Sequence, residues 1–222
     1  MVPAMATIER YDASTVSVLA DRVRCVLRES GLIALPTESF YGLAVDPFDV
    51  QALAKLWQTK GRSEGKPILL LIGDRSQLEP LVRSIPSAAT VLMNAFWPGP
   101  LTIVFPSAGG LSDTVTAGTR SVGIRLSAWQ PLLDLLRRVG PVTGTSANRE
   151  GMPPPTTAEE VQHSLDDTLD LIIDAGPTPG GRPSTVIDIR GPIHIIRDGA
   201  IERGAIVAQL AAHGLYLDTD SR

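Results

Sequence analysis

Lys60-Gly61-Arg62-Ser63-Glu64-Gly65-Lys66-Pro67, followed at once by Ile68-Leu69-Leu70-Leu71-Ile72, is the stretch on which the fold turns. Upstream of it, Leu53, Leu56 and Trp57 recur at helical spacing, with Asp49 placed to cap the first turn and Lys60-Gly61 closing the last. Downstream, Pro67 introduces five consecutive aliphatic residues that read as a buried strand. A helix that ends in a glycine- and cation-rich loop and returns as a buried strand is the mark of an α/β domain.

The same reading extends in both directions. Val16, Leu19, Ala20, Val23, Val26 and Leu27 form a helical stripe, with Gly31 expected at its C-cap and a short strand over 32–35 running into Pro36. Further helices are expected over 77–82, 88–96, 132–139, 158–164 and 205–212, and strands over 101–105, 122–126, 171–173, 185–189 and 193–196. Strands and helices alternate irregularly, and the final third is strand-rich. The expected architecture is therefore one α/β domain over residues 1–222, a twisted mixed β-sheet with helices on its faces, without repeats or linkers.

Composition narrows the function. With 20 basic and 24 acidic residues the net charge is −4, which argues against indiscriminate nucleic-acid binding. Only 5% of residues are aromatic, too few for a dense base-stacking surface. The single cysteine, Cys25, excludes an intrachain disulfide and CxxC modules. The first ten residues lack a basic segment followed by an apolar one, so no signal peptide is expected, no aliphatic run is long enough to span a membrane, and a cytoplasmic location is expected. The 20 glycines and 18 prolines make up about 17% of the chain, between the average and the low-complexity range, and point to many ordered loops.

The common chemical motifs are absent. No GxxxxGK[ST], GxGxxG or GxSxG occurs, and His163, His194 and His213 lie in separate elements without metal-ligand spacing, so no zinc site is expected. Polar clusters at strand ends stand out instead. Pro36-Thr37-Glu38-Ser39-Phe40-Tyr41-Gly42-Leu43 follows the first strand, with hydroxyls and a carboxylate that either clamp a small ligand or satisfy their own turn. In the 60–67 loop three cations and two glycines suit an anion, or simply complement the negative end of the preceding helix. Val142-Thr143-Gly144-Thr145-Ser146-Ala147-Asn148 is rich in donors and suits an oxyanion, though it also reads as an Asn/Gly turn. Arg125 and Arg197 sit at or near strand ends, and Trp97-Pro98-Gly99-Pro100-Leu101-Thr102 reads as a rigid turn with a shaping role.

Taken in order, PTESFYGL (36–43), KGRSEGKP (60–67), WPGPLT (97–102), VGIR (122–125), TSANREG (145–151), PSTVID (183–188) and IIRDG (195–199) resemble the YrdC family of threonylcarbamoyl-AMP synthases. The likeness runs from about residue 31 to 201. It implies a YrdC-like fold with a cationic concave site, in the short, single-domain form. It further implies a nucleotidyltransferase that makes threonylcarbamoyl-AMP and pyrophosphate from L-threonine, bicarbonate and ATP. That product serves the N6-threonylcarbamoyladenosine modification of tRNA at position 37.

The resemblance also implies site residues. The family's Lys, Arg, Ser and Asn tetrad matches Lys60, Arg62, Ser146 and Asn148, which gather the triphosphate; Lys66, Ser121 and Arg197 match further ATP-binding positions. Thr37, Arg125 and Ser184 match threonine-binding positions, with backbone near Gly144 closing that pocket. Mg²⁺ arrives with ATP, near Ser146 and Asn148, without a site built by the protein alone. The implied partners are a downstream tRNA threonylcarbamoyl transferase complex and, weakly, tRNA or other RNA; no membrane is implied. The chain departs from the family pattern at Ser39-Phe40 (usually Thr-Val), Leu71 (histidine in some longer members), Ser127 (commonly proline) and Glu150 (usually serine). The Gly/Pro-rich 176–184 segment lies beside the threonine positions, and closing as a lid is one hypothesis for it that the sequence leaves open.

Two other readings compete. A YrdC-like RNA-binding protein without synthase activity would lack the Ser-Ala-Asn element, which is intact here as Ser146-Ala147-Asn148. Carbamoyl transfer for metal-centre maturation calls for zinc-finger cysteines, and this sequence has only Cys25.

Overall fold

The apolar stripe at 16–27 forms helix α1 (Val16–Arg28), and its buried residues are the six named from the sequence. Its end differs from expectation. Ser30, not Gly31, takes the left-handed conformation (φ 56°). Gly31 is needed for a different reason: its N–H donates to the Val26 carbonyl at 2.9 Å, and a Cβ there would lie 2.4 Å from Val26 Cγ1. Helix α2 (Val50–Lys60) is capped as expected, Asp49 accepting from the Gln51 and Ala52 amides and Gly61 adopting φ 60° at the other end. The computed structural model describes residues 6–61 and 67–218.

The strands divide into two mixed sheets. The first has the order β1 (Thr7–Arg10), β9 (Leu171–Asp174), β2 (Ile33–Pro36), β3 (Tyr41–Ala44) and β8 (Thr145–Ser146). The second runs β11 (His194–Arg197), β10 (Thr185–Asp188), β5 (Leu101–Pro106), β6 (Ser121–Leu126), β4 (Leu70–Ile72) and β7 (Val142–Thr143). Parallel and antiparallel pairs occur in both. The strands that escaped the sequence reading include β1, which has an almost wholly exposed edge pattern, β3, in a segment read as a turn, and the two-residue β8, in the donor-rich 142–148 cluster.

Gly144 is where the chain passes between the sheets. Thr143 pairs with Leu70 in one, and Thr145 pairs with Leu43 in the other. The Gly144 N–H donates to the Leu69 carbonyl at 2.8 Å, while a Cβ would meet Leu71 Cγ at 2.6 Å. The run over 68–72 is a shorter strand than expected because Ile68 and Leu69 bond outside the ladder, to Val115 and Gly144. The helix expected over 77–82 is only a 3₁₀ turn, Arg75–Leu78; Pro80 offers no N–H with which to continue it.

Helices α3 (Ser87–Phe96), α4 (Asp113–Thr116), α5 (Gln130–Val139), α6 (Ala158–Leu165) and α7 (Arg203–Ala211) complete the fold. One core joins both sheets through Ala34, Leu43, Leu70, Ile103 and Ile124. A second packs α1 and α5 on Ile33, Leu35, Leu71 and Val142. The described helices include none long and apolar enough to cross a membrane.

Candidate active site

A cavity of about 710 Å³ opens where the sheets part at Gly144. Its floor follows from strand alternation: Ser121, Gly123 and Arg125 on β6, Thr102 and Val104 on β5, and Val186 on β10 all line it. Gly123 faces Val104 across the ladder, and a Cβ there would crowd Thr102 Cγ2 at 3.2 Å. The walls come from the β2–β3 turn, the end of α2, residues 144–146 and the segment before β10.

At one side, Lys60 is 4% exposed and its ammonium draws residues 146–148 against the end of α2. Nζ donates to the Ser146 and Asn148 carbonyls at 2.7 and 2.6 Å, with Ser146 Oγ and Asn148 Oδ1 within 3.4 and 3.2 Å. The Glu150 N–H returns to the Lys60 carbonyl at 2.9 Å, closing the loop on the helix terminus. Asn148 meets Lys60 but is absent from the described cavity lining, and its Nδ2 donates to Arg149 and Met152 carbonyls within its own loop.

At the other side lie Arg125 and Arg197. Arg197 donates from Nε and Nη2 to the Ser184 carbonyl at 3.2 and 2.9 Å, and from Nη2 to Ser184 Oγ at 3.1 Å. Ser184 Oγ lies 3.0 Å from Thr102 Oγ1, so a polar chain crosses the floor toward Arg125. Burial depresses the pKa of both guanidiniums; Glu38 opposes the shift at Arg125, and the charge of Arg125 adds to it at Arg197. A buried cation, Arg125, and the more exposed Arg197 oppose one another and gain most from an anion placed between them.

Thr37 lines the cavity, but its hydroxyl serves its own turn: it donates to the Phe40 carbonyl at 2.8 Å and accepts from the Ser39 and Phe40 amides. Ser121 lines the wall with its Oγ 2.7 Å from Thr119 Oγ1. Residues 176–184 dock on the same rim. Tyr41 Oη donates to the Gly176 carbonyl at 2.9 Å, and the Gly180 N–H to the Ser39 carbonyl at 2.8 Å. Burial beside Asp174 pushes the Tyr41 phenol well above its usual range, so it stays a donor.

The structure thus brings Thr37, Lys60, Ser121, Arg125, Gly144, Ser146, Ser184 and Arg197 to one cavity. Arg62 and Lys66 lie outside the described residues. The sequence reading missed Thr102, which does more than shape a turn, and Arg190, whose guanidinium lines the cavity while pairing with buried Asp188 at 2.6 Å. Strand alternation from Arg125 back to Ser121 was the signal that could have revealed the floor.

Among the described lining residues Lys60, Arg125, Arg190 and Arg197 are cationic and none is anionic. This defines an α/β protein with an anion-seeking cleft large enough for a small molecule. A family model described as telomere recombination, covering the Sua5, YciO and YrdC proteins, matches residues 25–199. The threonylcarbamoyl-AMP synthase of Bacillus subtilis is 41% identical over 82% of this chain and 54% of its own length. That of Coxiella burnetii is 36% identical over 76% of this chain and 90% of its own. The crystal structure of Pyrococcus abyssi Sua5 complexed with L-threonine superposes with a TM-score of 0.83 at 32% identity, covering 96% of this chain and 62% of that one. The chain belongs to the Sua5/YciO/YrdC family, and it spans little more than half of the longer relatives it matches.

Proposed function

We propose that this protein is an L-threonylcarbamoyladenylate synthase, joining L-threonine, bicarbonate and ATP into threonylcarbamoyl-AMP with release of pyrophosphate. The observation that carries the reading is one cavity with the Arg125–Ser184–Arg197 cluster at one side and the Lys60-bound 146–148 loop at the other. The first suits an amino-acid carboxylate and the second a polyphosphate. Relatives named for this activity, and a threonine complex of a superposable fold, point the same way.

The chemistry asks for positioning more than for acid–base catalysis. Threonine's amine and bicarbonate condense to a carbamate with loss of water, and the carbamate oxygen attacks the α-phosphorus in line as the bond to pyrophosphate breaks. Carboxylate, carbamate and triphosphate repel one another, so fixed cations and donors must hold them together. Lys60 and Arg125 supply that charge from buried positions and Arg197 from the more exposed rim; Arg62 and Lys66 are assigned to the same task.

The oxygens at Ser146 and Asn148 are of the hard type that Mg²⁺ prefers, but Lys60 Nζ already lies within 3.4 Å of both. Among the described residues no three His, Cys, Asp or Glu side chains gather into a metal site. The arrangement fits a metal carried by ATP as part of the substrate. The product passes to a transferase complex that modifies adenosine 37 of tRNA.

The test is pyrophosphate release with ATP, bicarbonate and each amino acid in turn. Release that depends on L-threonine is expected. Release indifferent to threonine would refute the reading and make salt-dependent tRNA binding the next measurement.

A further inference from the structure

Arg125 does not stand alone. Two residues on, just past the end of β6, Ser127 is fully buried. Both side chains reach back to one atom, Glu38 Oε2: Arg125 Nη2 at 3.4 Å and Ser127 Oγ in a short hydrogen bond. The Trp129 N–H donates to Ser127 Oγ at 3.2 Å. With its oxygen accepting from the backbone, the serine hydroxyl directs its own proton at the carboxylate. Glu38 is thereby fixed by a residue outside the cavity lining, and Glu38 in turn faces the guanidinium that lines it.

The pairing is loose in an informative way. The Arg125–Glu38 contact is single and long, not a bidentate fork, and both Arg125 Nε and Glu38 Oε1 are buried without a hydrogen-bond partner. A bidentate pair would consume the guanidinium, whereas no carboxylate at all would leave a buried cation whose charge desolvation disfavours. Arg125, Arg197 and Glu38 together carry a net charge of about +1, the complement of one carboxylate.

We propose that Glu38, clamped by Ser127, is the positioning residue of the amino-acid carboxylate subsite. It holds the Arg125 guanidinium charged and aimed while leaving donors free for the ligand. Ser127 acts only through Glu38, and Glu38 only through Arg125. This deepens the synthase reading and rests on it.

The experiment measures threonine-dependent pyrophosphate release by the whole chain carrying Ser127→Ala. The loss of one hydrogen bond behind the arginine is expected to raise the KM for threonine about fivefold. The KM for ATP and kcat at saturating threonine should hold, while the melting temperature should fall by about 4–8 °C because Glu38 and the Trp129 N–H each lose a buried partner. Glu38→Ala removes the acceptor altogether and should raise the threonine KM further. Threoninol, which lacks the carboxylate, should inhibit wild type and both variants equally, because it cannot use what Glu38 positions. An unchanged threonine KM in both variants overturns the proposal, as does an equal rise in the KM for ATP or a parallel loss of threoninol inhibition. Failure of the synthase reading looks different: wild type itself would then show no dependence on threonine.

Discussion

Replacing Gly199 by alanine tests how tightly the arginine end of the site is built. A Cβ on Gly199 would lie 2.4 Å from each of three backbone atoms, Pro183 O, Ser184 C and Thr185 N. None belongs to a side chain that can swing away, so the 183–185 segment or residue 199 must move about 1 Å to reach ordinary contact. Several hydrogen bonds cross this junction, among them Ala200 N–H to Pro183 O at 2.8 Å, Ile201 N–H to Thr185 Oγ1 at 3.0 Å, Thr185 Oγ1 to Ile201 O at 2.8 Å, and Arg197 Nη2 to Ser184 O at 2.9 Å. A shift of about 1 Å breaks bonds of that length, and at about 1 kcal/mol each the loss of most of them comes to about 3 kcal/mol. For a chain of this size that lowers the melting temperature by about 6–12 °C. Thermal unfolding of Gly199→Ala, read by calorimetry, is the assay. Gly191→Ala is the control: its Cβ would meet nothing within 4 Å, and a change within about 0.5 kcal/mol is expected. A Gly199→Ala protein melting within about 2 °C of wild type would show that the junction yields without cost, and the reasoning would fail.

Gly204, in the first turn of α7 with open space where its Cβ would be, should accept alanine with a gain of about 0.5–1 kcal/mol, seen as a higher melting temperature. Lys60→Ala removes the ammonium that holds residues 146–148 and is expected to lower pyrophosphate release at least a hundredfold, as is Arg62→Ala; wild-type release from either would refute its assignment. The hydrogen bond from Ser30, with those from the Ala52 and Gln51 amides, holds the Asp49 carboxyl below its usual range. Because the folded value is depressed, the stability this charge adds is present above the ordinary carboxylate pKa, about 4, and is lost as the pH falls through the folded value. Urea unfolding should therefore show the gap between wild type and Asp49→Asn closing below about pH 4; a gap constant from neutral to acid pH would contradict the assignment.

What could be read from the chain itself was local. The stripe over α1, the Asp49 and Gly61 caps of α2, and the runs that became β5, β6 and β10 announce themselves because their signals repeat within a few residues. The ordered polar segments likewise picked out the family and most of the residues that line the cavity. Edge strand β1 stayed hidden because an exposed strand has no apolar pattern to show.

Pairing across the chain was beyond that reach. Lys60 meets Ser146 across 86 positions, and Glu38 meets Arg125 across 87 and Ser127 across 89. Whether Glu38 would clamp a ligand or satisfy its surroundings was undecidable from its own turn. The answer depends on Arg125 of β6 and Ser127, just past its end, reaching Glu38 from another sheet. The sequence determined which chemical groups this protein owns and the elements that carry them. The tertiary structure alone decided which groups share a cavity and which oxygen each cation faces, because sheet register and the crossing at Gly144 are set by packing between segments, a property no local pattern encodes.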